Sequence, residues 1–453
     1  MIPITLKQLA EITQGTLYGT DITVLNVSTD TRKMHAGSLF IALKGKNYDA
    51  HDFISSAISA GCSSFLVNQK LCLPISHIVV NDTRIALGVL ARWVRQQSGA
   101  KVVGITGSSG KTSVKEMTAS ILRQCGQVLS TSGTLNNDIG VPITLLRLTH
   151  EHQYAVIELG ANHPGELFYT AALTQPESVL INNLSASHLE GFGSLVRLAK
   201  AKGEILQALP QNGTAIINHD SNDLVKWKYI LQGQNIWCFS SNHIKCCDFY
   251  ASCITRTQLN THFNLHTPQG CISVMIPFHG QHYIANALAA SALAMSISAP
   301  LNSISKGLQH LQAIPGRLFP IPFTKNKLLI DDTYNANVGS MIAAVNVLAD
   351  RPGYRVMIVG NMAEMGHHSN IYHKQIGYKI RHSGINKVLS IGSLGHEIAR
   401  TSNIGEYFED PETLSARAHE LLMKHQYITL LVKGSRSSNM DKIVQILQEH
   451  STC

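Results

Sequence analysis

The sequence lacks any unbroken apolar run near the roughly 18 residues that a membrane-spanning helix needs, so an integral membrane protein is not expected. It also lacks a CxxC pair. Its nine cysteines, at 62, 72, 125, 238, 246, 247, 253, 271 and 453, are odd in number and irregularly spaced. That pattern reads as reduced thiols and argues against both a disulfide framework and a zinc site. No lysine or arginine run stands out, so the formal charge of +8 is scattered, which suits small anionic ligands and gives no reason to expect nucleic acid. Met1 to Ala10 has no cationic stretch leading into an apolar core, so no secretion signal is expected and the expected compartment is the cytoplasm. Charged residues are only 15% of the chain against 44% hydrophobic, a balance that supports a sizeable buried core. With 453 residues, about three domains are expected.

What is present centres on Val102-Val103-Gly104-Ile105-Thr106-Gly107-Ser108-Ser109-Gly110-Lys111-Thr112-Ser113. A β-prone run enters a loop of small residues, and Val114, Met117, Ile121 and Leu122 then follow helical spacing. A strand, a glycine loop and a helix N-terminus make an anion cradle. Backbone N–H groups of Gly107 to Ser113 turn inward, Lys111 reaches the outer phosphates and Thr112 offers a hydroxyl to Mg²⁺. The usual phosphate loop has a glycine six positions before its lysine, where this chain has Ile105. The loop is therefore a shortened variant, which favours ATP-dependent ligases over generic kinases or GTPases.

Around the loop the chain alternates short strands and helices, and the expected fold class is α/β in three domains. Residues 1–98 read as a small α/β unit, closed by a helix from Arg84 to Ser98 and a hinge at Gly99-Ala100. Residues 99–313 read as a central phosphate-loop sheet of parallel strands with an antiparallel patch between Tyr250 and Pro277. Residues 314–453, beyond a break at Pro315-Gly316-Arg317, read as a Rossmann-like doubly wound sheet with right-handed crossovers. In open parallel sheets ligands gather at the carboxyl ends of strands. Glu158, ending Tyr154 to Gly160, and His188, following Ser178 to Asn182, therefore fall near Thr112. A hydroxyl, a carboxylate and an imidazole form a credible Mg²⁺ shell; a lone histidine is more often a hydrogen-bonded structural residue, and the company of Glu158 and Thr112 favours the ligand reading. Ser194 to Leu209 reads as one amphipathic helix with Val196, Ala199, Ile205 and Leu206 near one face, and with Lys200 and Lys202 as ordinary solvent-facing charges. The polar loops at 28–32 and 37–45 are open between ligand binding and plain solvation.

Several motifs together resemble the Mur ligases of bacterial peptidoglycan synthesis: TGSSGKTS, the loop Thr134 to Pro142 (TLNNDIGVP), IELG, AKGEI, HYIANALAA, DDTYNANVGSM and the terminal KGSR. The resemblance runs over nearly the whole chain. It implies a first domain holding a UDP-sugar, a central domain holding ATP and a third that closes over both. The asparagine loop combined with YNAN and KGSR implies addition of D-alanyl-D-alanine to UDP-N-acetylmuramoyl-tripeptide through an acyl phosphate, in a bacterial cytoplasmic enzyme expected to be a monomer. By this likeness Ser28, Asp30, Arg32 and Lys44 contact UDP, and Asn136 and Asn137 line the central cleft. Asn286 faces adenine, Arg317 approaches the nucleotide phosphates and Asp332 reaches the ribose. Asn335, Asn337, Lys433 and Ser435 border the acceptor site. Lys202 matches the lysine that such enzymes carry as a carbamate, able to hold a second Mg²⁺ with Glu158 and His188. The chain departs from the family pattern at Thr134, Asn361 and Ala50. Related expectations are an amino-acid-adding Mur ligase, a folylpolyglutamate synthetase-like ligase and a non-catalytic nucleotide-sugar sensor.

Overall fold

Runs of β-branched and aliphatic residues, punctuated by capped helices, build three main sheets in the computed structural model, which describes residues 1–45, 47–221, 226–242, 246–257 and 260–449. The first is a five-stranded sheet in the order Thr16–Tyr18, His77–Val79, Ser64–Val67, Leu39–Ile41, Val27–Ser28, parallel except at its first pairing. Ile4–Thr5 and Thr23–Val24 form a separate antiparallel pair. The parallel pairing of Ser28 with Phe40 brings the loops after both strands to one sheet edge.

The helix Thr83–Ser98 is capped by Asp82, whose carboxylate accepts the N–H groups of Arg84 and Ile85, meeting two of the four donors a helix start leaves free. It does more than close the first unit. Its Arg95 guanidinium donates to the carbonyls of Thr174 and Gln175 and pairs with Glu177 at 3.0 Å. Its buried Leu87, Leu90, Ala91 and Val94 share one apolar cluster with Leu6 and Leu9 and with Val102, Ala155 and Ile157 of the next sheet. The proposed hinge at Gly99-Ala100 therefore follows a helix packed on both sides, and Ala100 is itself buried.

Among the described residues the central sheet has nine strands. From Asn235–Ser240 the parallel run continues through Thr214–Asn218, Ser178–Ile181, Lys101–Thr106 and Tyr154–Glu158 to Val128–Ser130. On its other side stand Phe249–Arg256, Thr261–Thr267 and Gly270–Ile276, joined to one another in antiparallel pairs as the sequence suggested. One face carries the cluster just described. The other is covered by Lys111–Leu122 and by Gln281–Ser296, a helix whose alanines at 287, 289, 290, 292 and 294 are all buried. The third sheet runs Phe319–Thr324, Lys327–Asp332, Ile428–Lys433, Tyr354–Val359, Lys387–Ile391, Gly405–Phe408, parallel except at the first pairing, with apolar clusters on both faces.

The elements that differ from expectation have physical causes. Ser194 to Leu209 is not one helix: an α-helix, Leu195–Gly203, gives way to a tighter 3-10 turn, Glu204–Ala208. The Trp227 indole, which donates to the Ala199 carbonyl at 2.9 Å, lies so close to Gly203 that a side chain there would overlap it. Val196 is 76% exposed and is not on the buried face; Lys202 is, at 1% exposure. Phe319–Thr324 is a strand beyond those expected from the sequence; it carries Pro320 and Pro322, which an edge strand tolerates where no ladder N–H is needed. The short elements Thr16–Tyr18, Leu301–Gln309, Gly395–Ser402 and Asp441–Glu449 add to the expected set. Among the described residues no helix is long and apolar enough to cross a membrane.

Candidate active site

The parallel strands of the central sheet end on one edge, and the phosphate loop follows the strand Lys101–Thr106 there. Gly110 has φ +76°, a left-handed conformation natural to glycine. A Cβ at this position would sit 2.6 Å from Asn182 Nδ2 and 2.8 Å from Asn286 Oδ1, so the residue is fixed by backbone and by space. The loop is pinned from the neighbouring strand: Asn182 Nδ2 and Asn183 Nδ2 donate to the Ser109 carbonyl, and Asn183 Oδ1 accepts the Ser109 N–H at 2.9 Å. These two asparagines were missed in the sequence. Their signal was a polar pair ending a buried strand, Ser178–Ile181, that lies directly beside the loop strand.

Lys111 begins the helix Lys111–Leu122, and its Nζ donates back to the Gly107 carbonyl at 3.0 Å. Burial lowers its pKa, with Glu158 opposing and Arg317 adding to the shift. The Thr112 hydroxyl donates to Glu158 Oε2 at 2.9 Å and accepts from Arg317 Nη2 at 2.8 Å. Asn136 Nδ2 donates to the other Glu158 oxygen at 2.8 Å. Asn136 lies over Gly160, where a Cβ would come within 3.0 Å of its amide, so the asparagine loop needs this glycine to approach the carboxylate. Asn137 has a local role, accepting the Gly140 N–H at 2.8 Å.

One cleft, with a volume of about 290 Å³, is lined by loop residues 108–113 together with Asn136, Asn137, Glu158, His188, Lys202, Asn286, Arg317, Asp332, Asn335, Asn337 and Lys433. His188 takes φ +50°, and its Nδ1 lies against the Glu364 carboxylate, a contact from the third sheet's side. The side-chain hydrogen bond from His188 lowers the Glu364 pKa against the opposing effect of burial. Lys202 has no hydrogen bond or ion pair among the described residues. Burial, reinforced by Lys111, brings its pKa down to about 7, with Glu166, Glu204 and Glu158 opposing. This is the reverse of a solvent-facing lysine. A buried Asp332 is ion-paired with Lys433 at 2.6 Å and accepts the Leu318 N–H; burial raises its pKa and Lys433 holds it back. Arg317 lies over Tyr334, Cζ 4.0 Å from the ring centroid.

Other residues predicted from sequence lie elsewhere. Asp30 and Arg32 form a bidentate pair, with bonds of 2.9 and 2.8 Å, at the edge of the first sheet. The Arg32 hydrogen bonds lower the Asp30 pKa to about 2. Ser28 Oγ donates to the Asp30 carbonyl, and Lys44 faces Asp49 at 3.9 Å. None of these four lines the cleft. Ser435 is buried, shares a hydroxyl contact of 2.8 Å with Ser438 and is also outside the cleft lining. Asn286 is beneath the loop, its Oδ1 accepting from Asn182 Nδ2 at 3.3 Å. Asn335 Oδ1 accepts the Ala336 N–H, and Lys433 Nζ donates to the Asn335 carbonyl at 2.9 Å. Asn361 accepts the N–H groups of Leu394 and Gly395, so this departure from the family pattern caps a helix.

Residues 23–105 match the Mur ligase family catalytic domain, 105–294 the Mur ligase middle domain and 316–436 the Mur ligase glutamate ligase domain. The chain belongs to the Mur ligase family. The UDP-N-acetylmuramoyl-tripeptide–D-alanyl-D-alanine ligase of Escherichia coli K12 is 55% identical to it over 453 residues, covering 100% of both chains. The enzyme of the same name from Buchnera aphidicola of Acyrthosiphon pisum is 47% identical, covering 100% of this chain and 99% of its own. A crystal structure of MurF from Acinetobacter baumannii superimposes with a TM-score of 0.92 at 36% identity, covering 99% of each chain. The expected family and three-part α/β architecture are therefore both found in this Mur ligase.

Proposed function

We propose that this Mur ligase joins the terminal carboxylate of UDP-N-acetylmuramoyl-tripeptide to the amine of D-alanyl-D-alanine, using ATP and releasing ADP and phosphate. The observation that carries the reading is the convergence of Lys111, Thr112, Glu158 and Arg317 on one cleft edge, in a chain alike end to end to ligases of that name. We assign 1–98 to the UDP-sugar, 99–313 to ATP, and 314–453 to the amino substrate and closure.

The peptide carboxylate attacks the γ-phosphorus, the bond to the β-phosphate oxygen breaks, and ADP leaves an acyl phosphate. The dipeptide amine then attacks the acyl carbon and releases a proton, the C–O bond breaks, and inorganic phosphate departs with its electron pair. Phosphoryl transfer needs positioning and charge neutralisation more than covalent help. Loop N–H groups and Lys111 hold the transferring phosphate, while Arg317 adds positive charge beside Thr112 on the same cleft edge. Asn286 supports the loop beneath the adenine, Asp332 reaches the ribose, and Asn335, Asn337, Lys433 and Ser435 border the acceptor. Ser28, Asp30, Arg32 and Lys44 serve the UDP end.

Thr112 and Glu158 present hard oxygen donors side by side, a set suited to Mg²⁺, with His188 as a further ligand. Bound magnesium neutralises phosphate charge there. Lys202, buried and lacking a carboxylate partner, fits a carbamate, which supplies a further anionic oxygen donor for a second Mg²⁺. The acyl phosphate is easily hydrolysed, so closure of the third unit over the cleft excludes water before the amine enters. The test is phosphate release from purified enzyme with the UDP-linked tripeptide, with and without D-alanyl-D-alanine. Formation of ADP that depends on the dipeptide supports the reading; no ADP with every substrate present overturns it.

A further inference from the structure

Away from the cleft, one group of three metal-ligating side chains is found among the described residues. His219, Cys246 and Cys247 place their ligand atoms within 4.8 Å of one another. Irregular cysteine spacing gave no hint of this, because the group is assembled by strand pairing. His219 follows the strand Thr214–Asn218, and the two cysteines lead into Phe249–Arg256. Asn218 pairs with Phe239, and Phe239 with Phe249, so the start of one strand stands level with the ends of two others.

The surroundings favour a cation. Asp220 and Asp248 add negative charge next to the thiols. Both carboxylates are held in place: Asp220 accepts from Ser240 Oγ at 2.5 Å and from the Ser241 N–H at 2.8 Å, and Asp248 Oδ2 accepts the Cys238 N–H at 2.7 Å. Cys238, on the strand Asn235–Ser240 that lies between the other two, adds a further thiol beside Cys247. His219 and Cys246 are exposed while Cys247 is buried, giving an entry route to a partly enclosed site.

We propose that His219, Cys246 and Cys247 bind a thiophilic divalent cation of the zinc class, with water as the fourth ligand. Imidazole and thiolate are the donors such ions select, and in a tetrahedral shell with metal–sulfur bonds of about 2.3 Å two sulfurs stand about 3.8 Å apart. Binding releases one proton from each thiol to solvent, and the dication with two thiolates and a neutral imidazole carries no net charge. The ion ties the end of the strand Thr214–Asn218 to the start of Phe249–Arg256. His219 directly follows Asn218, which lines the cleft and donates to the Asn182 carbonyl at 2.9 Å, so one ligand is a single residue along the chain from a cleft-lining side chain.

The test is titration of the reduced full-length enzyme with Co²⁺ alone, followed by displacement with Zn²⁺. One cobalt per chain is expected, with thiolate-to-cobalt charge-transfer absorption and the intense visible bands of four-coordinate cobalt. Cys246→Ser combined with Cys247→Ser should abolish these bands while ligase turnover continues, and Cys271→Ser should leave them unchanged. A weak six-coordinate spectrum, or an undiminished four-coordinate one in the double variant, overturns the proposal. Should the double variant fail to fold, X-ray absorption of the zinc-loaded wild-type chain decides: two sulfurs and one nitrogen in the shell support the site, and an all-oxygen or nitrogen shell overturns it.

Discussion

Arg317 Nη2 donates to the Thr112 hydroxyl across 2.8 Å, joining the turn before the third sheet to the first turn of the phosphate-loop helix. The same guanidinium lies over the Tyr334 ring, Cζ 4.0 Å from its centroid, so it is held by a cation–π contact as well as a hydrogen bond. Lysine keeps the charge and loses the guanidinium geometry of both contacts. Arg317→Lys is therefore expected to lower kcat by about 10²-fold with little change in UDP-substrate affinity, measured by phosphate release and calorimetry. Equal weakening of UDP-substrate binding would count against the separation of sites.

Lys111→Ala removes the cation that the helix start aims into the cleft. Phosphoryl transfer should fall by about 10²–10³-fold or more, while the UDP-linked tripeptide still binds. Single-turnover formation of acyl phosphate, compared with equilibrium binding of the UDP substrate, separates the two effects.

Lys202 gives a pH prediction with a definite sign. Its pKa is lowered from 10.5 to about 7 by burial, so between those values the unfolded chain holds more protons than the native one. Stability then rises with pH across that window, and Lys202→Met should flatten the rise in denaturant midpoints measured at several pH values. A neutral amine is also the form that takes up CO₂. Lys202→Ala should be nearly inactive and partly restored by a short carboxylic acid; no response to CO₂ or to such acids would remove the carbamate assignment.

Gly110→Ala places a methyl against Asn182 and Asn286 in a left-handed backbone. A cost of about 1–2 kcal/mol is expected from the conformation alone, seen as a lower thermal midpoint. ATP affinity should fall more steeply than stability, because Asn182 also holds the Ser109 carbonyl.

The strands and the loop were readable because their signals are local: an apolar run, two glycines and Lys111-Thr112 lie within a dozen residues. Glu158 and His188 followed from a rule about strand ends, which places residues at an edge and not in contact. That rule brought out the 2.9 Å bond between Thr112 and Glu158 and missed Glu364, which reaches His188 from a different sheet. Lys202 looked solvated because helical spacing alone does not say which face is buried; Trp227, packed against Gly203, decides that. The gathering of His219 with Cys246 and Cys247 depends on strand register across a gap of more than twenty positions, which residue spacing does not encode.

Asn337 caps the helix Val338–Ala349 with its Oδ1, accepting the Ser340 N–H at 2.9 Å, while its Nδ2 donates to the Ser108 carbonyl at 3.2 Å. The first bond lies within its own helix start and only the second crosses to the phosphate loop, so the cap does not depend on the loop contact. That neutral hydrogen bond, worth about 0.5–1.5 kcal/mol, stands beside the Arg317 bond to Thr112 and the Glu364 contact with His188, so the grip of the third unit on the cleft is shared among side-chain contacts of different chemistry.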